Sequence, residues 1–236
     1  MHIHSLYSDG TASVRDILDH VEQRTDLDVI AITDHERIDG ALRALELHAA
    51  GHYGFDLVVG EEITTRRGHV LALFITERIA ALRPLDETLA AIHDQGGIAI
   101  AAPPMAPLPL SVGRRSLRQV RDHEREGVHF DALELFNPSH AGRMRHDARM
   151  ALNAAELGLP GVGNSDGHVL EGIGTGVTTF PGHTAEDYRR AVADGTVAPE
   201  GEHWSAAHNV DVYRRQLRAK LRHLWHSVKP GHDDWR

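Results

Sequence analysis

The sequence predicts an α/β fold, a single domain in which a mostly parallel sheet is covered by helices. Two observations carry this. Short, nearly continuous apolar runs alternate with segments of helical periodicity along most of the chain. The length of 236 residues also suits one barrel or one doubly wound unit. A chain of that size buries roughly 70–75% of its unfolded surface and needs no disulfide or structural metal to fold. With about seven β/α repeats, a closed barrel is narrowly favoured over an open sheet.

In chain order, the strands read as 28–33 (DVIAIT), 56–63 (DLVVGEEI), 69–75 (HVLALFI), 97–101 (GIAIA), 130–136 (FDALELF), 160–163 and 174–180. Helical patterns lie between them. Segment 13–24 opens with Ser13 as N-cap and puts Val14, Ile17, Leu18 and Val21 on one face. Segments 38–50, 84–95, 116–126, 143–157 and 185–194 follow the same logic. The tail differs. From 206 to 228, Val210, Tyr213, Leu217, Leu221, Leu224 and Val228 recur at helical spacing, with Arg214, Arg215, Arg218, Lys220 and Arg222 among them. A terminal helix laying its stripe on the domain is preferred to a membrane-surface or partner-binding helix. The chain thus divides into a barrel over 1–199 and a helical tail over 200–236 packed against it.

Composition removes several function classes. Lys and Arg number 25 against 34 Asp and Glu, a formal charge of −9. Such a chain has no general attraction for nucleic acid or anionic lipid, so any polyanion site must be local, and bound divalent metal could supply it. The absence of cysteine excludes disulfides, thiolate zinc sites, iron–sulfur clusters and thiol nucleophiles. No run approaches the roughly 18–20 apolar residues of a membrane span, and MHIHSLYSDG lacks a signal-peptide layout, so a cytoplasmic protein is expected. There is no P-loop, and the glycines of 172–176 read as a turn into a strand. Nineteen histidines outnumber the twelve Trp, Tyr and Phe together, which makes metal sites of His and carboxylate the leading suspicion.

The polar residues that break the pattern fall at strand ends. His2 and His4 are two apart, so on an extended chain both point to one face. Asp9 follows in a turn. Asp34-His35, Glu61-Glu62, His69 and Asn164-Ser165-Asp166-Gly167-His168 each close or adjoin a strand. Capping explains one such Asp but not five segments aimed at one mouth, and burying these groups together is costly without cations. The pattern reads as a multinuclear metal site.

These motifs, His2-Ile3-His4-Ser5, Ser8-Asp9-Gly10, Thr33-Asp34-His35, Gly60-Glu61-Glu62, Gly68-His69-Val70-Leu71 and Asn164-Ser165-Asp166-Gly167-His168, resemble in order those of the PHP family, named for polymerase and histidinol phosphatase. The resemblance spans residues 2–180, with 131–180 similar to the family's PHP-associated C-terminal segment. It implies a distorted seven-stranded, TIM-like β/α barrel that binds two or three Mn, Fe or Zn ions and has phosphoesterase activity. It implies one metal held by His2, His4, Glu62 and Asp166, a second by Asp9, His35 and His168, and a third between Glu62 and His69. His35, Asp166 and His168 become the residues most directly tied to catalysis. Glu62 is preferred to Glu61 on the G-x-E pattern, and Asp34 is expected to orient a ligand imidazole.

The chain departs from the family at three places. Pro103, in Ala101-Ala102-Pro103-Pro104, stands where a histidine completing the third metal is expected, and His140 is the one replacement the sequence offers. Few residues precede the first motif. Glu36 follows Thr33-Asp34-His35 where many members have Asp.

The expected reaction is hydrolysis of a small phosphate ester, a nucleotide among the options, by a metal-bridged hydroxide. Arg143 and Arg145 are candidate substrate contacts at the rim, as are Arg114 and Arg115 in the Pro-rich segment 103–116. Long nucleic acid is disfavoured, because the chain is acidic and shows no row of stacking aromatics. Two rivals stand beside this reading: an amide or lactone hydrolase using the same centre, and a non-catalytic or regulatory metal-binding module.

Overall fold

Six of the apolar runs form one curled sheet in chain order: β1 (Val29–Ile32), β2 (Asp56–Thr65), β3 (Gly68–Leu73), β4 (Ile98–Ala101), β5 (Ala132–Phe136) and β6 (Gly161–Gly163). The computed structural model describes residues 1–106, 110–123 and 125–227. Pairing is parallel except at β3, which is antiparallel to both neighbours. The cause is local. Thr65 pairs with Gly68, and the turn of Arg66 and Arg67 is far too short for a parallel crossover.

Both faces of the sheet are buried, which is why its strands read as almost unbroken apolar runs. Val29, Ala31, Val58, Leu71, Leu73, Ile98, Ile100, Ala132 and Val162 point inward and form one cluster. Tyr188 and Val192 of α7 (Ala185–Ala193) join it. This helix plugs the end where the parallel strands begin, as the bond from the Ala185 N–H to Asp56 shows. The alternate residues, among them Ile30, Ile32, Ile63, Val70, Ala72, Ala99, Leu133 and Leu135, face outward. They pack under α1 (Val14–Arg24), α2 (Asp39–Ala50), α3 (Leu85–His93) and α4 (Arg114–Asp122). Ser13 caps α1 in a reciprocal capping box with Asp16, as its position before the apolar stripe predicts.

The expected seventh strand lies elsewhere. Residues 176–179 form β7 (Gly176–Thr179), which pairs with β8 (Ala198–Gly201) in a separate two-stranded antiparallel sheet, α7 lying between them in the chain. The Thr178 hydroxyl binds both backbone groups of Gly163, and a Cβ on Gly163 would collide with the Val177 carbonyl, so this small sheet lies directly on β6. Residues 2–4 occupy the gap between the two ends of the sheet. Ile3 bridges to Gly167 in parallel, and its carbonyl accepts from the Thr33 N–H at 2.9 Å. The result is a six-stranded half-barrel completed by a single-residue bridge.

Segment 143–157 is not one helix. It divides into α5 (His140–Arg143) and α6 (His146–Leu152), separated by Arg145 in the left-handed region at φ 58°, and continues as a π-helical turn over Asn153–Leu157. The last helix, α8 (Ala206–Ser227), touches the domain differently from the expected stripe. Val212, with Trp204 ahead of the helix, packs on Val169, whereas Val210, Tyr213 and Leu217 are at least half exposed. Val228 and the side chains of Lys220, Leu221, Arg222 and Leu224 lie outside the described residues. Among the described residues, no helix is long and apolar enough to cross a membrane.

Arg149 of α6 is 1% exposed, and its guanidinium donates to the carbonyls of Leu135, Pro104 and Gly142. It ties the end of β5 to two neighbouring loops. Replacing it by Ala removes these donors and leaves the Leu135 carbonyl with only the His146 ring at 3.1 Å. Arg149→Ala should therefore destabilise the fold by about 3–5 kcal/mol, read from the midpoint of urea unfolding at unchanged slope.

Candidate metal centre

Strand alternation builds the site. On β2, Val58 and Glu62 face inward and Glu61 outward. The chain beyond β1 keeps the same alternation, so His35 points in and Asp34 out. His69 is the second residue of β3, and because β3 runs antiparallel its start reaches the mouth that the other strands reach with their ends. His2 and His4 flank the outward Ile3, with their ring centroids 5.0 Å apart. Asp166 and His168 follow β6, Asp166 in the left-handed region at φ 50°, which an Asp tolerates better than most residues.

These side chains converge on Glu62. One of its oxygens lies 3.0 Å from His2 Nε2, 3.3 Å from His4 Nε2 and 3.3 Å from His35 Nδ1; the other lies 2.8 Å from His69 Nδ1. Asp166 Oδ1 is 3.5 Å from His2 Nε2 and 3.4 Å from His4 Nε2. Asp9 Oδ1 is 3.1 Å from His168 Nε2 and 3.8 Å from His35 Nε2. Three groups of potential ligands result: His2, His4 and Asp166; His4, Asp9, His35 and His168; and His35, Glu62 and His69. The last assembles three side chains without any contribution from position 103.

The charges here are strongly perturbed. Burial alone would raise the carboxyls of Glu62, Asp9 and Asp166, but the surrounding imidazoles hold all three well below the usual carboxylate range. Burial opposes charging of His4, yet Asp166, Glu62 and Asp9 outweigh it and push its pKa up to about 10. Burial pulls His35 down to about 4, against Glu62 and Asp9. The group as a whole needs positive charge.

Hydrogen bonding shows what kind. His2 has a carboxylate at each ring nitrogen, Glu134 at Nδ1 and Glu62 at Nε2, both at 3.0 Å, and with Asp166 these raise its pKa well above the usual imidazole value despite burial. His168 Nδ1 donates to the Asp166 carbonyl at 2.9 Å, so the neutral ring turns its Nε2 lone pair toward Asp9. Both ring nitrogens of His4 and Nε2 of His69 are buried without a hydrogen-bond partner. Lone pairs facing carboxylates, with no sulfur among the donors, fit divalent Zn, Mn or Fe.

Other expectations are corrected. Asp34 accepts from the Ser5 N–H and the hydroxyls of Ser5 and Ser8 at 2.6–2.7 Å, not from an imidazole, because alternation turns it outward. It fastens the turn that carries His4 to Asp9, and a Cβ on Gly40 would collide with its carboxylate. Arg143 and Arg145 are exposed and do not line the cavity; Arg114 and Arg115 border a different groove on α4. His140 is exposed and belongs to none of the ligand groups. Asn164 donates to Glu134, and the Ser165 hydroxyl to the Gly176 carbonyl, so both shape the turn.

Three features lay outside the sequence reading. Glu134 is fully buried and holds His2, Asn137 and Asn164; its signal is an acid in the middle of the apolar run ALELF. Asn137 links Glu134 to Asp166. Finally, Trp204 and the α8 residues Asn209, Val212, Tyr213 and Gln216 wall a cavity of about 570 Å³ over the histidines, and no Arg or Lys lines it among the described residues.

Two predictions follow from these contacts. Glu134→Ala removes the acceptor that orients His2 and should weaken metal binding by about 10–100-fold, measured by competition with a chromogenic chelator. Glu61, on the outward face, accepts from the Ile79 N–H at 2.9 Å, and burial lifts its carboxyl to about 7. Between the ordinary value of 4.5 and about 7 the folded chain keeps a proton that the unfolded chain has released, so stability falls as pH rises through that window. Glu61→Gln should therefore stabilise the fold by about 2–3 kcal/mol near pH 8 and by little below about pH 5, in urea titrations at the two pH values.

Comparisons with known proteins agree with this geometry. A family profile for the PHP-associated segment matches residues 146–197. An uncharacterized protein of Methanocaldococcus jannaschii is 32% identical over 171 residues, covering 68% of this chain and 92% of its own. Among solved structures, the chain resembles a two-domain Bacteroides vulgatus protein containing a predicted PHP-like metal-dependent phosphoesterase. The identity is 18% and the TM-score 0.62, over 92% of this chain and 68% of the other. It also resembles an amidohydrolase from Chromobacterium violaceum solved with sulfate and no metal, at 17% identity and TM-score 0.60, over 84% and 96% of the two chains.

Proposed function

The chain belongs to the PHP family, and from that premise we propose that it is a metal-dependent phosphoesterase acting on a small phosphate ester. The observation that carries the reading is Glu62, one buried carboxylate within 3.3 Å of four imidazoles. In this reading His2, His4, Glu62 and Asp166 hold one divalent ion, and Asp9, His35 and His168 a second. Glu62 and His69, with His35 turned toward them, support a third. Residues 2–4 act as the seventh stave of the family's barrel.

Bound ions supply Lewis acidity toward a phosphoryl oxygen and a water activated near neutral pH. The chain's own groups arrange the rest. Glu62 and Asp166 gather the imidazoles, Glu134 fixes the His2 ring, and the Asp34 turn sets the spacing of His4 and Asp9. His35, held near 4, is neutral at neutral pH and keeps one ring nitrogen lone pair free. Helix α8 covers the mouth and keeps bulk water from the reacting phosphorus.

The wall suggests the substrate. Trp204, Val212, Tyr213, Ala106 and Leu110 offer apolar and aromatic surface, and among the described residues no Arg or Lys lines it for a second phosphate. A singly phosphorylated compound with an apolar or aromatic body, a mononucleotide among them, suits such a cavity better than a bisphosphate. The same uncharged wall favours a second reading, hydrolysis of an amide or lactone, whose neutral carbonyl requires no cation beyond the metal.

The test is metal content per chain, paired with p-nitrophenyl phosphate turnover before and after chelation and Mn reconstitution. The expected outcome is turnover that returns with the metal and drops at least about 100-fold in His35→Ala or Asp166→Ala. Bound metal with turnover only on amides or lactones would establish the second reading. Metal without any turnover would make the chain a binding module, and failure to take up metal would sink the site assignment.

A further inference from the structure

A second group of donors lies at the opposite end of the sheet. His93 ends α3, while His129 and Asp131 immediately precede β5. His93 Nε2 is 2.9 Å from Asp131 Oδ2, and His129 Nε2 is 3.4 Å from Asp131 Oδ1. The two rings stack, with centroids 4.3 Å apart and planes 18° apart. The three side chains are 13%, 35% and 22% exposed, so water has access to complete a coordination shell.

One hydrogen bond decides the chemistry. His93 Nδ1 lies 2.9 Å from the Gly127 carbonyl, which can only accept, so Nδ1 carries the hydrogen and the neutral ring presents a lone pair at Nε2. That lone pair faces a carboxylate oxygen, the same arrangement that His168 shows at the central cluster. A proton or a metal ion at Nε2 answers that oxygen. With a proton on His93, His129 completes the pairing by donating its Nε2–H to the other Asp131 oxygen. The three donor atoms also lie within 4.8 Å of one another, close enough to share one ion. Protonating both would put two positive rings in stacking contact.

A single divalent ion bonded to both Nε2 atoms and to Asp131 satisfies all three at once. The Asp131 carboxylate is already fixed, because its Oδ2 accepts from the Ala99 N–H at 2.7 Å. The carbonyl end of α3 adds favourable potential for a cation there. An imidazole whose second nitrogen donates to a backbone carbonyl is the usual form of a metal-bound histidine. We propose that His93, His129 and Asp131 form a second divalent-cation site, of zinc type with water as fourth ligand, which ties α3 to the start of β5. It shares no residue with the central cluster.

The test uses the full chain and zinc itself. His129→Gln alters the most exposed ligand, and after dialysis against buffered zinc it should hold one ion fewer per chain by elemental analysis, with p-nitrophenyl phosphate turnover unchanged. The companion measurement is made in a chain carrying His35→Ala and Asp166→Ala. There zinc should raise the melting temperature, and adding His129→Gln should make the rise smaller. Equal zinc content with and without His129→Gln, or a zinc-induced rise of the same size with and without it, would overturn the proposal. The companion measurement reads the same whether or not the central cluster is a phosphoesterase.

Discussion

The structure depends on one unmet demand: three ionised carboxylates, Glu62, Asp9 and Asp166, are packed with five imidazoles at one mouth of the half-barrel. Buried charge of this density is stable only when it is paired and compensated. Much of the surrounding architecture serves that end. Glu134 and Asn137 orient His2 and Asp166 from below. Asp34, turned away from the rings, sets the turn on which His4 and Asp9 ride. The left-handed Asp166 aims its carboxylate back at His2 and His4 rather than onward along the strand.

Much of the centre was legible because strands alternate. His2 and His4 share a face, and Glu62 and Glu61 divide between the two faces, for the same reason of period two. That rule, carried one residue further, also tells that Asp34 cannot point where His35 points, and it puts Glu134 in line with Ala132 on the inner face. Both were readable. The antiparallel course of β3, which brings His69 to the common mouth, was readable too, since the short turn after Thr65 permits nothing else.

What could not be read depends on contacts between distant segments. The two-stranded sheet of β7 and β8 stands apart from the main sheet, with the Thr178 hydroxyl taking the backbone groups of Gly163 in place of a strand partner. Helix α8 docks through Val212 rather than through the stripe of Val210, Tyr213 and Leu217, because its partner is the small patch of Val169 and Trp204 rather than a broad groove. The wall of the cavity, and with it the character of the substrate, therefore lies beyond local pattern. Arg143 and Arg145 miss the cavity for a backbone reason, the break at Arg145, which no helical periodicity reports.

The short bridge at Ile3 has a kinetic side. The same three residues that join the two ends of the half-barrel carry two of the central imidazoles, and their backbone partners, Thr33 and Gly167, are far apart in the chain. Contacts between distant segments form late, because the entropy of closing large loops must be met first. Closure of the sheet and assembly of the histidine cluster thus draw on the same few backbone contacts. Local opening at residues 2–4 disturbs both together, so the site and the closure of the half-barrel stand or fall as one.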